Sequence, residues 1–135
     1  MLTKILVVDD DIEMTDWLKI ILEPNSFEVH AANSGAEGVK LARQIKPDAI
    51  ILDLLMAGLD GWRVCREIRS FSKVPILILS AIGKPDLAAQ ALDEGADDYL
   101  IKPTPSGILI AHLNRLLRRA RIEKEANDTK LNYLL

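Results

Sequence analysis

Lys4–Glu13, "KILVVDDDIE", decides how the rest of the chain is read. Four apolar residues, Ile5–Val8, run without interruption into Asp9, Asp10 and Asp11. A short continuous apolar run of this kind reads as a buried strand. Adjacent carboxylates repel and disfavour each other's ionised form, so a fold that crowds them at a strand's end is expected to place something positive beside them.

Working outward, similar runs recur at "AIIL" (Ala49–Leu52), "ILIL" (Ile76–Leu79) and "YLI" (Tyr99–Ile101). The tetrads do not alternate with polar residues, which is how strands covered by helices on both faces look. "FEVHA" (Phe27–Ala31) does alternate, and its half-wet face marks an edge strand. Helical spacing fills the gaps. Ser34 and Glu37 form a capping box ahead of Val39, Ala42 and Ile45. Asp60 caps a helix carrying Val64, Cys65 and Ile68, and Pro85 suits the first turn of the next. Thr104-Pro105 opens the last helix, whose stripe is Leu109, Leu113, Leu116, Leu117 and Ala120. The first helix runs from about Asp11 to Leu22 and stops before Pro24. Strict strand–helix alternation predicts a doubly wound, five-stranded parallel sheet. The order 2-1-3-4-5 puts the alternating strand and the short "YLI" strand at the edges. The polar end, "RIEKEANDTKLNYLL", is expected to extend the last helix to about Ala126 and then become linker, giving a domain over 1–121 and an extension over 122–135.

The 135 residues suffice for one domain with its own core. A net charge of −3 carries no basic excess for nucleic acid, so DNA contact would need residues outside this chain. Cys65, the single cysteine, reads as a small buried hydrophobe. No run of about 18 apolar residues could span a membrane, and "MLTKI" is no signal peptide. A cytoplasmic protein without membrane contact is therefore expected.

Ligands of open parallel sheets sit beyond the carboxyl ends of the strands, at the switch in strand order. There the chain places Asp9 and Asp10 after the first strand, Asp53 after the third, Ser80 after the fourth and Lys102 after the fifth. A dinucleotide site needs glycines in the first turn, but "VDDDIE" would repel phosphate. A hard divalent cation fits the carboxylates better, because Mg²⁺ takes a few carboxylate oxygens, several waters and a phosphate oxygen. The alternative is that these aspartates are turn or helix caps. The hydroxyl of Ser80 and the ammonium of Lys102 are groups that a phosphoryl moiety needs around it.

With "ILVVDDD", "PDAIILDLLMAGLDGW", "VPILILSA" and "GADDYLIKP" in this order and spacing, the sequence from about Lys4 to Arg119 resembles a receiver domain of a two-component response regulator. The resemblance implies a flavodoxin-like fold and a chain that is not an enzyme beyond catalysing its own phosphorylation and slow dephosphorylation. It implies that Asp53 accepts a phosphoryl group from a sensor histidine kinase. It implies Mg²⁺ held by Asp9, Asp10, Asp53 and the backbone carbonyl of Leu55, Lys102 paired with the phosphoryl oxygens, and a cis Lys102–Pro103 bond. It also implies that Ser80 bonds to the phosphoryl group and that Tyr99 changes rotamer with it.

Some positions depart from the family pattern. Ala57 replaces a usual proline, and Thr104 replaces an aromatic residue and suits a helix N-cap. Leu55 and Ile82 are apolar where family side chains govern water's access to the phosphoryl group, which predicts slow self-dephosphorylation. "GADDY" and the basic "RLLRRAR" resemble the OmpR/PhoB subfamily, whose active dimers pair charges across helix 4, strand 5 and helix 5. Asp97, Asp98, Arg118 and Arg119 match that pattern, whereas Ala88, Ile108 and His112 stand where charged partners are usual. His30 and His112 read as surface residues, and Trp17 and Trp62 as helix-face packing. The expected output is transcription control through an effector domain. The alternative is a stand-alone receiver that relays phosphate or binds a partner protein. A haloacid-dehalogenase-type phosphatase is disfavoured, because its second aspartate would fall at Leu55.

Overall fold

The computed structural model describes residues 2–134. The opening run forms β1 (Thr3–Val8), followed by α1 (Ile12–Leu22) and a 3-10 turn at Glu23–Asn25. Next come β2 (Phe27–Ala32), α2 (Gly35–Ile45), β3 (Ala49–Leu52), α3 (Gly61–Arg69), β4 (Ile76–Ser80), α4 (Pro85–Asp93), β5 (Asp98–Ile101) and α5 (Ser106–Leu134). All neighbouring strands pair in parallel, in the order β2-β1-β3-β4-β5. The expected doubly wound sheet is therefore the observed one.

The unbroken tetrads serve two cores. Ile5 and Val7 pack with Leu18, Leu22, Leu109, Leu113 and Leu116 on the α1 and α5 side. Leu6 and Val8 pack with Val64, Cys65 and Ile68 on the other. Because both faces of β1, β3 and β4 are covered, both parities of their tetrads are apolar. In β2, Phe27 and Val29 are buried while Glu28 is exposed, as befits an edge.

Local signals start the helices as expected. The side chains of Ser34 and Asp60 accept from the backbone N–H groups of Glu37 (3.1 Å) and Arg63 (2.9 Å). Pro85 occupies the first position of α4. Three expectations need correction. Thr104 does not cap α5: its hydroxyl donates to the Ile101 carbonyl at 2.6 Å, and Pro105 supplies the first helical carbonyl. Helix α5 does not stop near Ala126 but runs to Leu134. Its polar stretch has no glycine or proline to end it and is rich in good helix formers. Trp62 packs against the core, but Trp17 lies on the outer face of α1, 36% exposed.

Candidate functional site

The sheet itself aligns the site. Asp9, Asp53 and Lys102 each follow the last residue of a strand, and their backbone N–H groups extend the ladder by one bond. Asp9 donates to Ala32 (3.1 Å), Asp53 to Val8 (2.9 Å) and Lys102 to Ser80 (2.9 Å). These bonds hold the residues at one rim, with Ser80 closing β4 beside them. The Lys102–Pro103 peptide is cis, as the resemblance implied.

The aspartate triplet divides its labour. Asp11 caps α1, its carboxylate accepting from Glu13 N–H at 3.0 Å. Asp9 and Asp10 turn instead toward Asp53, and one carboxylate oxygen from each of the three lies within 4.8 Å of the others. Asp9 and Asp53 are buried at 3% and 7% exposure, whereas Asp10 is open to solvent. The cap reading thus holds for Asp11 and in part for Asp9, whose Oδ1 accepts from Asp11 N–H at 3.0 Å while its Oδ2 faces Lys102.

The Lys102 ammonium lies 2.8 Å from Asp9 Oδ2 and 3.6 Å from Asp53 Oδ2. Burial pushes the Asp53 carboxyl above the usual carboxylate range, and the neighbouring Asp9 charge pushes it further. Lys102 and the backbone N–H groups of Leu54 and Leu55 oppose that rise. One lysine therefore leaves the acceptor's negative charge under-compensated. Three converging hard oxygen donors, one of them wet, fit a Mg²⁺ ion that keeps several waters.

Ser80, fully buried, accepts from Ile82 N–H at 3.3 Å, and the Tyr99 hydroxyl donates to the Ile82 carbonyl. Ser80, Ile82 and Tyr99 are thereby linked. Burial pushes the Tyr99 phenol up, so it stays a neutral donor. Leu55 projects into solvent at 55% exposure beside the acceptor.

Two supports escaped the reading of the sequence. Asn33 donates to the Asp9 carbonyl at 2.9 Å and to Thr15 Oγ1 at 3.1 Å, clamping the turn that carries the carboxylates. Gly61 lets α3 approach the acceptor: a Cβ there would lie 2.3 Å from the Asp53 carbonyl oxygen.

The four residues matched to a dimer face are divided between two flanks of α5. Asp97 accepts from Arg69 (2.9 Å) and from Ile76 N–H (2.8 Å), both within the chain. Asp98 Oδ2 lies 2.6 Å from both His112 Nδ1 and Arg115 Nη2. His112 is thus a paired, half-buried residue rather than a free surface one, and His30 pairs with Glu28 at 2.8 Å. Arg119 lines a groove with Asp97 and Lys73, whereas Arg118 lines another with Thr3 and Phe27, toward the opposite flank of α5.

The family described as "Response regulator receiver domain" matches residues 5–114. The chain is similar to the response regulator MprA of Mycobacterium avium, 39% identical over 131 residues, which cover 96% of this chain and 58% of that one. It is also similar to the DNA-binding dual master transcriptional regulator RpaA of Synechocystis, 38% identical over 95% of this chain and 55% of that one. The chain therefore spans a little over half the length of these curated relatives. Among solved structures, a two-component response regulator from Clostridium difficile superposes with a TM-score of 0.84 at 35% identity, covering 87% of this chain and 98% of that one. The BeF3-activated N-terminal receiver domain of RstA from Klebsiella pneumoniae gives 0.83 at 31% identity, covering 86% and 99%.

Proposed function

The chain belongs to the response regulator receiver domain family, and on that premise we propose that Asp53 takes a phosphoryl group from the phosphohistidine of a sensor histidine kinase. A carboxylate oxygen of Asp53 forms the new P–O bond as the P–N bond breaks, and the electron pair returns to the imidazole of the kinase. Three carboxylates converge beside one ammonium at a sheet rim, with Lys102 Nζ 3.6 Å from Asp53 Oδ2, and that convergence carries the reading.

Phosphoryl transfer offers little covalent work for a protein, so positioning and charge compensation dominate. Asp9, Asp10, Asp53 and the Leu55 carbonyl would hold Mg²⁺, which when bound offsets charge on the phosphoryl oxygens. Asp9 holds Lys102 by direct contact, so the ammonium lies beside the acceptor before any phosphoryl group arrives. Ser80 stands buried at the next strand end and supplies a hydroxyl. A phosphoryl group that binds Ser80 better in one arrangement of the Ser80–Ile82–Tyr99 linkage shifts the population toward it.

Residues 1–121 act as the receiver and 122–135 as a helical extension leading to an effector domain. The names of the relatives support a transcriptional output, and the kinase partner and a cytoplasmic location follow from the same reading. Among the described residues no helix is long and apolar enough to cross a membrane. A homodimer through α4, β5 and α5 would use Asp97, Asp98, Arg118 and Arg119, but the internal pairing of Asp97 and Asp98 would have to be shared or exchanged.

Acetyl phosphate with Mg²⁺ tests the core of this proposal. Intact mass should rise by one phosphate in the native chain and stay unchanged in Asp53→Asn. Equal labelling of both would sink it.

A further inference from the structure

The last four turns of α5 have no reason within the domain to be helical. Residues 121–133 are all exposed; Arg121, Glu123 and Lys124 border grooves of the domain, but none of them is buried there. Isolated helices of about 12–15 residues are marginal in water even with good propensity. The stretch is therefore expected to lean on a partner.

Its pattern describes that partner. Ile122, Ala126, Thr129 and Tyr133 are spaced four, three and four apart and form one stripe. Ile122 and Tyr133 are 62% and 88% exposed. The Thr129 hydroxyl already donates to the Glu125 carbonyl at 2.9 Å, so the stripe can be buried there without stranding that donor. Leu131 lies off this stripe, among Lys124 and Asn127, and extends no second one.

The flanking charges favour a second copy in parallel. With Ile122 and Thr129 at d and Ala126 and Tyr133 at a, the g positions are Arg118 and Glu125 and the e positions Glu123 and Lys130. A parallel pair sets each g residue against the e residue five positions on in its partner. That opposes Arg118 to Glu123 and Glu125 to Lys130, each twice by symmetry. An antiparallel pair in the same stripe aligns only Glu123 with Lys130. We propose that residues 118–133 of α5 form a parallel two-helix pair with the same segment of a second copy of this chain.

Sedimentation of the full chain over a range of concentrations should show a reversible monomer–dimer equilibrium that weakens with salt. Ile122→Lys should weaken it at least about tenfold, the effect of losing one buried large apolar side chain. Because Ile122 is exposed in the single chain, the variant should keep its monomer fold, checked by its melting curve. Glu125→Lys should weaken the dimer, and adding Lys130→Glu should restore it. Ile122→Cys and Tyr133→Cys should each cross-link to themselves under mild oxidation, while Lys124→Cys should not; Cys65 is fully buried and silent. A chain that stays monomeric throughout, a dimer indifferent to Ile122→Lys, or self-cross-linking at only one of the two stripe positions would overturn the proposal.

Discussion

Lys102 is bonded to Asp9, not to Asp53: its ammonium lies 2.8 Å from the first carboxylate and 3.6 Å from the second. The lysine thus neutralises the wall of the acidic site and keeps its charge within 3.6 Å of the acceptor's carboxylate. Lys102→Met should leave two buried carboxylates without their cation. We expect a loss of about 1.5–3 kcal/mol in metal-free buffer at neutral pH, as for a removed charged hydrogen bond. Mg²⁺ should recover part of that loss, because a ligand that binds only the folded state stabilises it. Urea melts with and without EDTA measure both terms. A variant as stable as the parent without metal would contradict this account.

Asp53 stands above the usual carboxylate range, chiefly from burial and then from the charge of Asp9. A carboxyl whose folded pKa exceeds its unfolded value binds its proton more tightly when folded. Its favourable contribution is fully present below the unfolded pKa and is lost as pH rises through the folded one. At neutral pH the charged Asp53 is therefore a liability. Asp53→Asn should raise the melting temperature in metal-free buffer at pH 7, and the advantage should shrink as pH falls toward the ordinary carboxylate range. An advantage that grows on acidification would mean the sign is wrong.

Asn33 provides a test of how the carboxylate turn is held. Its amide bonds the Asp9 carbonyl and the buried Thr15 hydroxyl. Asn33→Ala should cost about 1–2 kcal/mol of stability, the range for leaving part-buried acceptors unsatisfied. It should also weaken Mg²⁺ binding without removing a ligand. Isothermal titration separates these effects; an unchanged Mg²⁺ affinity would make Asn33 a stabiliser only.

Much of this was legible because local and topological signals coincide. The tetrads of β1, β3 and β4 announce two-sided burial by failing to alternate. Ser34 and Asp60 read as caps because their partners lie three residues away. Asp9, Asp53, Ser80 and Lys102 follow from strand ends once the order of strands is known. What stayed hidden depends on distant neighbours. The Asn33 clamp closes over 24 residues, and the close approach at Gly61 exists only once α3 is docked. Nothing in "GADDY" reveals that Asp97 bonds Arg69 and Ile76 N–H within the chain. The end of α5 was misplaced because polarity was read as a stop, although polarity alone ends no helix.

Leu55 and Ile82 set an expectation for the lifetime of the phosphorylated form. Neither side chain has a donor or acceptor to orient an attacking water, and Leu55 stands exposed beside Asp53. The aspartyl phosphate should therefore persist for many minutes after acetyl phosphate is removed, and Leu55→Asn should shorten that lifetime. Loss of the added mass within seconds in the native chain would refute this.

Gly61 and Gly107 make opposite predictions for the same substitution. A Cβ at Gly61 would meet the Asp53 carbonyl oxygen at 2.3 Å and Leu54 Cα at 2.5 Å, both backbone atoms with little room to give. Gly61→Ala should therefore push α3 away from the acceptor loop. We expect about 2–3 kcal/mol of destabilisation, the upper part of the overpacking range, and a sharp fall in phosphate uptake. At Gly107 a Cβ would meet nothing within 4 Å, and the residue lies in the first turn of α5. Gly107→Ala should leave phosphorylation unchanged and add up to about 0.5–1 kcal/mol, because alanine loses less backbone entropy in a helix than glycine does. Melting curves paired with acetyl phosphate labelling read both variants. If Gly61→Ala labelled at the native rate, the close packing of α3 on Asp53 would have no part in positioning the acceptor.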